Sequence, residues 1–164
     1  MKLVEHTDPI LRTPLQEFDF NDPPVDPLQF SKDIIQVMYD NNGMGLAANQ
    51  VGMPYRMFAM AGGESGDFAC FNPRIVNYSR ESQYMEEGCL SYPGLFVSIK
   101  RPKSIRVRFQ APNGVTVTET FAGMTARVFQ HELDHLDGIV HLGRATLYHK
   151  EQAMKKWKRN RRAA

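Results

Sequence analysis

Five residues, His131-Glu132-Leu133-Asp134-His135, constrain this 164-residue chain more than any other stretch. Residues four apart on an α-helix share a face, with Cβ atoms roughly 5–6 Å apart, so His131 and His135 reach a single cation when the segment is helical. Glu132 then stands beside them, placed to take a proton from water at the ion without filling a coordination position itself. Taken alone, the pattern fits two surface histidines on a polar helix as well.

A catalytic divalent site usually has three protein ligands and keeps the next position for water. Downstream, His141 follows the helix-ending Gly138, while His149 and Glu151 sit in a basic tail, and none has the required spacing. Upstream, Glu86-Glu87-Gly88-Cys89-Leu90-Ser91 sets a thiol beside a glycine, where backbone can approach a metal or a substrate closely. Cys89 is the better third ligand.

Three segments together resemble the signature motifs of the peptide deformylases, in that family's order: Gly43-Met44-Gly45-Leu46-Ala47-Ala48-Asn49-Gln50, Glu87-Gly88-Cys89-Leu90-Ser91 and Gln130-His131-Glu132-Leu133-Asp134-His135. The resemblance runs from Asp8 through Gly138. It implies an α+β fold in which antiparallel sheets pack around the central HExxH helix, followed by a C-terminal helix. It implies a metal-dependent hydrolase that removes the formyl group from N-formylmethionyl peptides and releases formate.

The resemblance also distributes roles. Cys89, His131 and His135 would bind Fe²⁺, with Zn²⁺ or another divalent transition metal as the alternative; a thiolate and two imidazoles suit either ion. Glu132 would be the general base and acid. The Gln50 amide and the Leu90 N–H would stabilise the oxyanion. Met44, Gly45 and Gly88 would hold the peptide like an added strand. Met85, Met124 and Val128 are candidates for the methionine pocket by their nearness to the motifs, and thioethers adapt well to another thioether. Glu87 and Arg101 look like an ion pair bracing the Cys89 loop. Two positions depart from some bacterial members: Arg127, expected to point outward and fold its stem over the rim, and Phe96, which stands where an arginine meets the substrate backbone. The rival reading is a zincin-like metallopeptidase cleaving internal peptide bonds, which needs a third ligand downstream.

At this length one catalytic domain spanning residues 1–164 is expected, and 42% hydrophobic with 23% charged residues is ordinary globular composition. No run approaches the roughly 20 apolar residues that cross a bilayer, and residues 1–8 lack an apolar signal core. A monomer is therefore expected to work where it is released: the cytoplasm, an organellar stroma or matrix, or an infected cell. Two cysteines are too few for a disulfide scaffold; Cys70 reads as a buried filler, and a thiolate ligand at Cys89 requires a reducing compartment. Residues 141–164 carry eight Lys or Arg against one acid, net +7, which leaves −5 on residues 1–140. That asymmetry suits an anionic partner, and in bacterial members of the family the C-terminal helix can dock the enzyme on the ribosome.

The pattern predicts a helix from Pro27, capped by Asp26, with Gln29 completing a capping box and Leu28, Ile34, Ile35, Val37 and Met38 as its apolar face. Strands are expected over Arg56–Met60 and Phe68–Phe71, around a Gly-rich loop. A hairpin is expected from Ile105, Val107 and Phe109 to Val115 and Val117 across Ala111-Pro112-Asn113-Gly114. Thr125 is the expected cap of the motif helix. His149–Arg159 should form the last helix, packed through Met154 and Trp157.

Overall fold

The computed structural model describes residues 1–163. A 3₁₀ turn (Pro9–Arg12) precedes helix α1 (Pro27–Asp40). Strand β1 (Gly45–Ala47) passes through a second 3₁₀ turn (Ala48–Val51) toward β2 (Met57–Met60) and β3 (Phe68–Tyr78). A long hairpin, β4 (Ser82–Cys89) and β5 (Tyr92–Pro102), comes next, followed by β6 (Ser104–Gln110) and β7 (Thr116–Ala122). Helix α2 (Gly123–Leu136) carries the HExxH segment, and after a 3₁₀ turn (His141–Arg144) helix α3 (Leu147–Ala163) closes the described chain. Two antiparallel sheets result, one ordered β1-β2-β3-β6-β7 and the other the β4-β5 hairpin alone. The architecture is the expected α+β class.

Apolar burial explains how α2 is held. All four residues of β2 are buried, with α1 and α2 both packed on that strand. Phe58 of β2 meets Phe129 of α2 edge to face, ring centroids 5.0 Å apart, a favoured aromatic arrangement. Ile34, Met38, Leu46, Val107 and Phe121 complete this core. A second, smaller cluster joins Leu95, Val97 and Ile99 of β5 to Leu142, Ala153 and Trp157. The Trp157 indole donates to the Pro93 carbonyl at 2.9 Å, which anchors α3 on the hairpin.

Local signals were partly misplaced. Asp26 does cap α1, accepting from the Leu28 and Gln29 amides, but the Gln29 side chain donates to Asp33 instead of closing a capping box. Leu28 is 54% exposed, and Phe30 fills the core position near it. Thr125 does not cap α2: β7 runs straight into the helix, and Ala122 at the cap position contributes no side-chain bond. The last helix extends past both expected ends. Its Trp157 is buried as anticipated, with Met154 partly buried against the same cluster. Cys70 is fully buried, and both it and Cys89 are free of disulfide bonds.

Candidate metal centre and active site

Helix α2 and the end of β4 bring three ligand atoms together. One donor atom each from Cys89, His131 and His135 lies within 4.8 Å of the others, and Cys89 Sγ is 3.3 Å from His135 Nε2. Ligands bound at about 2.0–2.3 Å to one ion are separated by about that much. His131 Nδ1 donates to Glu87 Oε1 at 2.8 Å, which fixes the tautomer and turns Nε2 toward Cys89. His135 is wholly buried, and its backbone carbonyl accepts from the Asn49 side chain at 2.7 Å. One soft thiolate and two imidazoles form a donor set that fits a divalent transition metal.

The charges favour a cation at that point. Burial opposes protonation of His131, yet its contacts with Cys89 and Glu87 raise its pKa well above the ordinary value. Burial, together with the His131 charge, lowers that of His135 well below it. Burial would also raise the pKa of Glu87, but hydrogen bonds from His131 and Arg101 overcome it and hold the carboxylate well below its usual range.

Glu132 stands apart from the ion pairs. Burial first, and the Glu87 charge after the opposing His131, push its pKa up to about 7. Its Oε1 is buried without a hydrogen-bond partner among the described residues. Gly45 is needed here, because a Cβ at that position would come within 2.7 Å of Glu132 Oε2 and 2.8 Å of Val128. A carboxyl poised near neutrality in a cavity is suited to accept and return protons.

A cavity of about 610 Å³ opens onto this cluster. Met44, Gly45, Gln50, Gly88, Cys89, Leu90, Met124, Val128, His131 and Glu132 line it. Ala47 N–H donates to Gln50 Oε1 at 2.9 Å, which turns Nε2 toward Ser91 Oγ at 3.0 Å and Cys89 Sγ at 3.6 Å. Met44 and Met124 are about half exposed, at the rim. Met85 is not part of the lining; this correction follows from its place on β4, opposite Ile99, where its sulfur accepts from Gln83. His135 lies beneath the wall.

Two departures resolve differently. Arg127 does not point outward: it is 5% exposed and donates to Glu87, to the Ile99 carbonyl and to the Gln83 carbonyl at 2.8–2.9 Å. The reason is the company of buried acceptors on β4 and β5, which hold the guanidinium more strongly than solvent does. Phe96 lies over Gly88, whose added Cβ would meet the ring at 2.6 Å, and joins the cavity wall. The Glu87–Arg101 pair forms, and it is buried and two-pronged, at 2.6 and 3.0 Å. Sequence reasoning missed Asp134, which accepts from Arg101 and Arg144; its place one residue before His135 was the available signal. The downstream candidates turn elsewhere: His141 Nε2 meets the Leu95 carbonyl at 3.2 Å and His149 pairs with Thr146.

Residues 1–151 match the family model described as polypeptide deformylase. A peptide deformylase of Thermotoga petrophila is 44% identical over 143 residues, 84% of this chain and 82% of the relative. The chloroplastic peptide deformylase 1B of Solanum lycopersicum is 39% identical over 150 residues, 89% of this chain and 53% of that longer protein. The crystal structure of peptide deformylase from Thermus thermophilus superposes with a TM-score of 0.88 at 30% identity, covering 96% of this chain and 92% of the other.

Proposed function

Because the chain belongs to the peptide deformylase family, we propose that Cys89, His131 and His135 hold one divalent ion at which this enzyme does its chemistry. The activity is removal of the N-formyl group from formylmethionyl peptides of newly made chains, a metal-dependent hydrolysis. The observation that carries the site assignment is the meeting of the three ligand atoms beside a buried, unpaired Glu132. Iron(II) is the proposed native ion, with Zn²⁺ able to occupy the same donors.

A divalent ion at such a site polarises a carbonyl and lowers the pKa of water to about 7 in the best-known zinc cases. Glu132 takes the proton of the attacking water and later delivers it to the leaving amine. Gln50 Nε2 and the Leu90 N–H face the carbonyl oxygen as its negative charge develops; they are neutral donors that do not compete for the cation. Met44 and Gly45 at the start of an edge strand, and Gly88 at the irregular end of β4, offer main-chain groups to a peptide laid between the sheets. Met124 and Val128 form the wall for the methionine side chain. The whole of residues 1–164 acts as one catalytic domain.

The zincin alternative is not favoured, because among the described residues it is the upstream Cys89, and not His141, His149 or Glu151, that joins His131 and His135 in a ligand cluster. Bacterial and chloroplastic relatives support a bacterial cytoplasm or an organelle as the place of work, and no described helix is long and apolar enough to cross a membrane. The monomer forms the complete site. In residues 141–164, exposed Lys150, Lys155, Lys156, Lys158, Arg159, Arg161 and Arg162 support docking on ribosomal RNA.

One anaerobic assay tests the activity. The protein loaded with ferrous iron is given formyl-Met-Ala-Ser or acetyl-Met-Ala-Ser, and free amine is measured. Release from the formyl peptide alone is expected, and no release with the metal correctly bound would refute the assignment.

A further inference from the structure

The proposed ligands come from two bodies that scarcely touch through their backbones. His131 and His135 ride on α2, whose close backbone neighbours are β1, β2, β6, β7 and the turn Ala48–Val51. Cys89 ends β4, in the separate hairpin, and the hairpin's own apolar cluster faces α3. Apart from Leu90, which packs against the main core, what spans the gap is polar. Arg101 joins Glu87 to Asp134, Gln130 donates to the Pro102 carbonyl at 3.1 Å, and His131 is bonded to Glu87.

Arg127 makes the widest of these spans. From the helical turn before His131, its Nη1 donates to Glu87 Oε2 at 2.8 Å and to the Ile99 carbonyl at 2.9 Å. Its Nη2 donates to the Gln83 carbonyl at 2.8 Å. One guanidinium thus grips β4 at two places and β5 at a third. Glu87, two residues from Cys89, is also the carboxylate that orients His131, so the strand and the imidazole are set by one shared group.

We propose that Arg127 is a positioning residue that holds the Cys89 strand at coordination distance from α2 before any metal arrives. This rests on the ligand assignment above. Its planar fork supplies several donors in fixed directions, which an ammonium cannot reproduce. Without it, Gln83, Ile99 and Glu87 each lose a buried donor, and the Cys89 strand is held to α2 only through the links of Arg101, Gln130 and His131 and the packing of Leu90. The thiolate would then meet the ion at altered distance and angle while all three ligands remain in the sequence.

The full chain is titrated with Co²⁺ as wild type, Arg127→Met and Arg127→Lys, following the thiolate-to-cobalt absorption. Partners behind metal ligands typically govern affinity by about 10–100-fold. Arg127→Met is expected to lose affinity in that range with a displaced thiolate band, and Arg127→Lys should recover only part of it. Deformylation by Co²⁺-saturated Arg127→Met should fall in kcat more than it rises in KM. Wild-type affinity and spectrum in a folded Arg127→Met would overturn the proposal.

Should Arg127→Met fail to fold, the wild type supplies the answer by hydrogen exchange. Amides of Glu86–Cys89 are expected to be as protected in the apo protein as in the cobalt form, and a hairpin that is free in the apo form would overturn the proposal. Wild type showing the cobalt–thiolate band but no deformylation would refute the activity and leave the role of Arg127 intact.

Discussion

Cys70 and Cys89 share a side chain and nothing else. Burial raises the Cys70 thiol well above its ordinary pKa, whereas Cys89 lies beside two imidazoles at the cavity wall. Alanine at Cys89, His131 or His135 should therefore abolish most metal binding, and Cys70→Ala should retain full metal content by atomic absorption. Glu132 and Gln50 belong to a different class, because neither is among the ligand atoms. Glu132→Gln should keep its metal and lose roughly 10²–10⁴ in turnover, the usual worth of a positioned proton carrier. Gln50→Ala should lose roughly 10²–10³ as an oxyanion donor. Glu132 also has a pH signature. It serves as base only when ionised, and in the metal-free protein burial holds its pKa at about 7. For stability, a folded pKa raised from 4.5 means that the native state holds the extra proton, so stability falls as pH rises from 4.5 through about 7. The stability gained by apo Glu132→Gln should accordingly grow over that interval in urea melts.

At the scale of elements, the same histidine spacing that made α2 legible also identifies its functional face, because helical periodicity is local. The β6–β7 hairpin was legible for a similar reason: Ile105, Val107 and Phe109 alternate without interruption, and all three are buried. The β4–β5 hairpin was not. Its register slips between Glu87 and Cys89, and β4 buries only Glu87, so no apolar alternation announces it. The inward turn of Arg127 was equally hidden, since its acceptors lie 28 to 44 residues away. The turn His141–Arg144 yields a prediction of its own. Burial, then the nearby His131 charge, lowers the His141 pKa to about 4 from 6.5. The unfolded chain takes up the proton first, so the contribution to stability is complete above pH 6.5 and is lost as pH falls toward about 4. His141→Gln, which keeps a donor for the Leu95 carbonyl, should flatten that slope in denaturation measured across the interval.

The molecule as a whole divides its charge, with the basic residues of α3 on an exposed helical surface and Ala153 and Trp157 on the buried one. Removing the helix would strip the small cluster under β5, so charge reversal is the cleaner probe. Glutamate at Lys155, Lys156, Lys158 and Arg159 should weaken ribosome binding in a salt-dependent way by counterion release, while kcat/KM on formyl-Met-Ala-Ser stays near wild type. Unchanged sedimentation with ribosomes at low salt would remove the helix as a docking element. The basic tail itself was readable from composition; that its inner face anchors the hairpin was not, because the Pro93 carbonyl that receives Trp157 lies 64 residues earlier.

The cavity's position along the seam between two separate sheets has a thermal consequence. A peptide whose main chain pairs with β1 on one side and β4 on the other would act as a removable crosslink, joining bodies that otherwise meet through side chains. Any ligand that favours the native state raises stability with its concentration over Kd. This one should do so unevenly, slowing amide exchange along both edge strands at once. A product peptide such as Met-Ala-Ser should thus raise the melting temperature and protect Gly45–Ala47 together with Glu86–Cys89, whereas free methionine, which fills the pocket without spanning the seam, should protect far less of either strand.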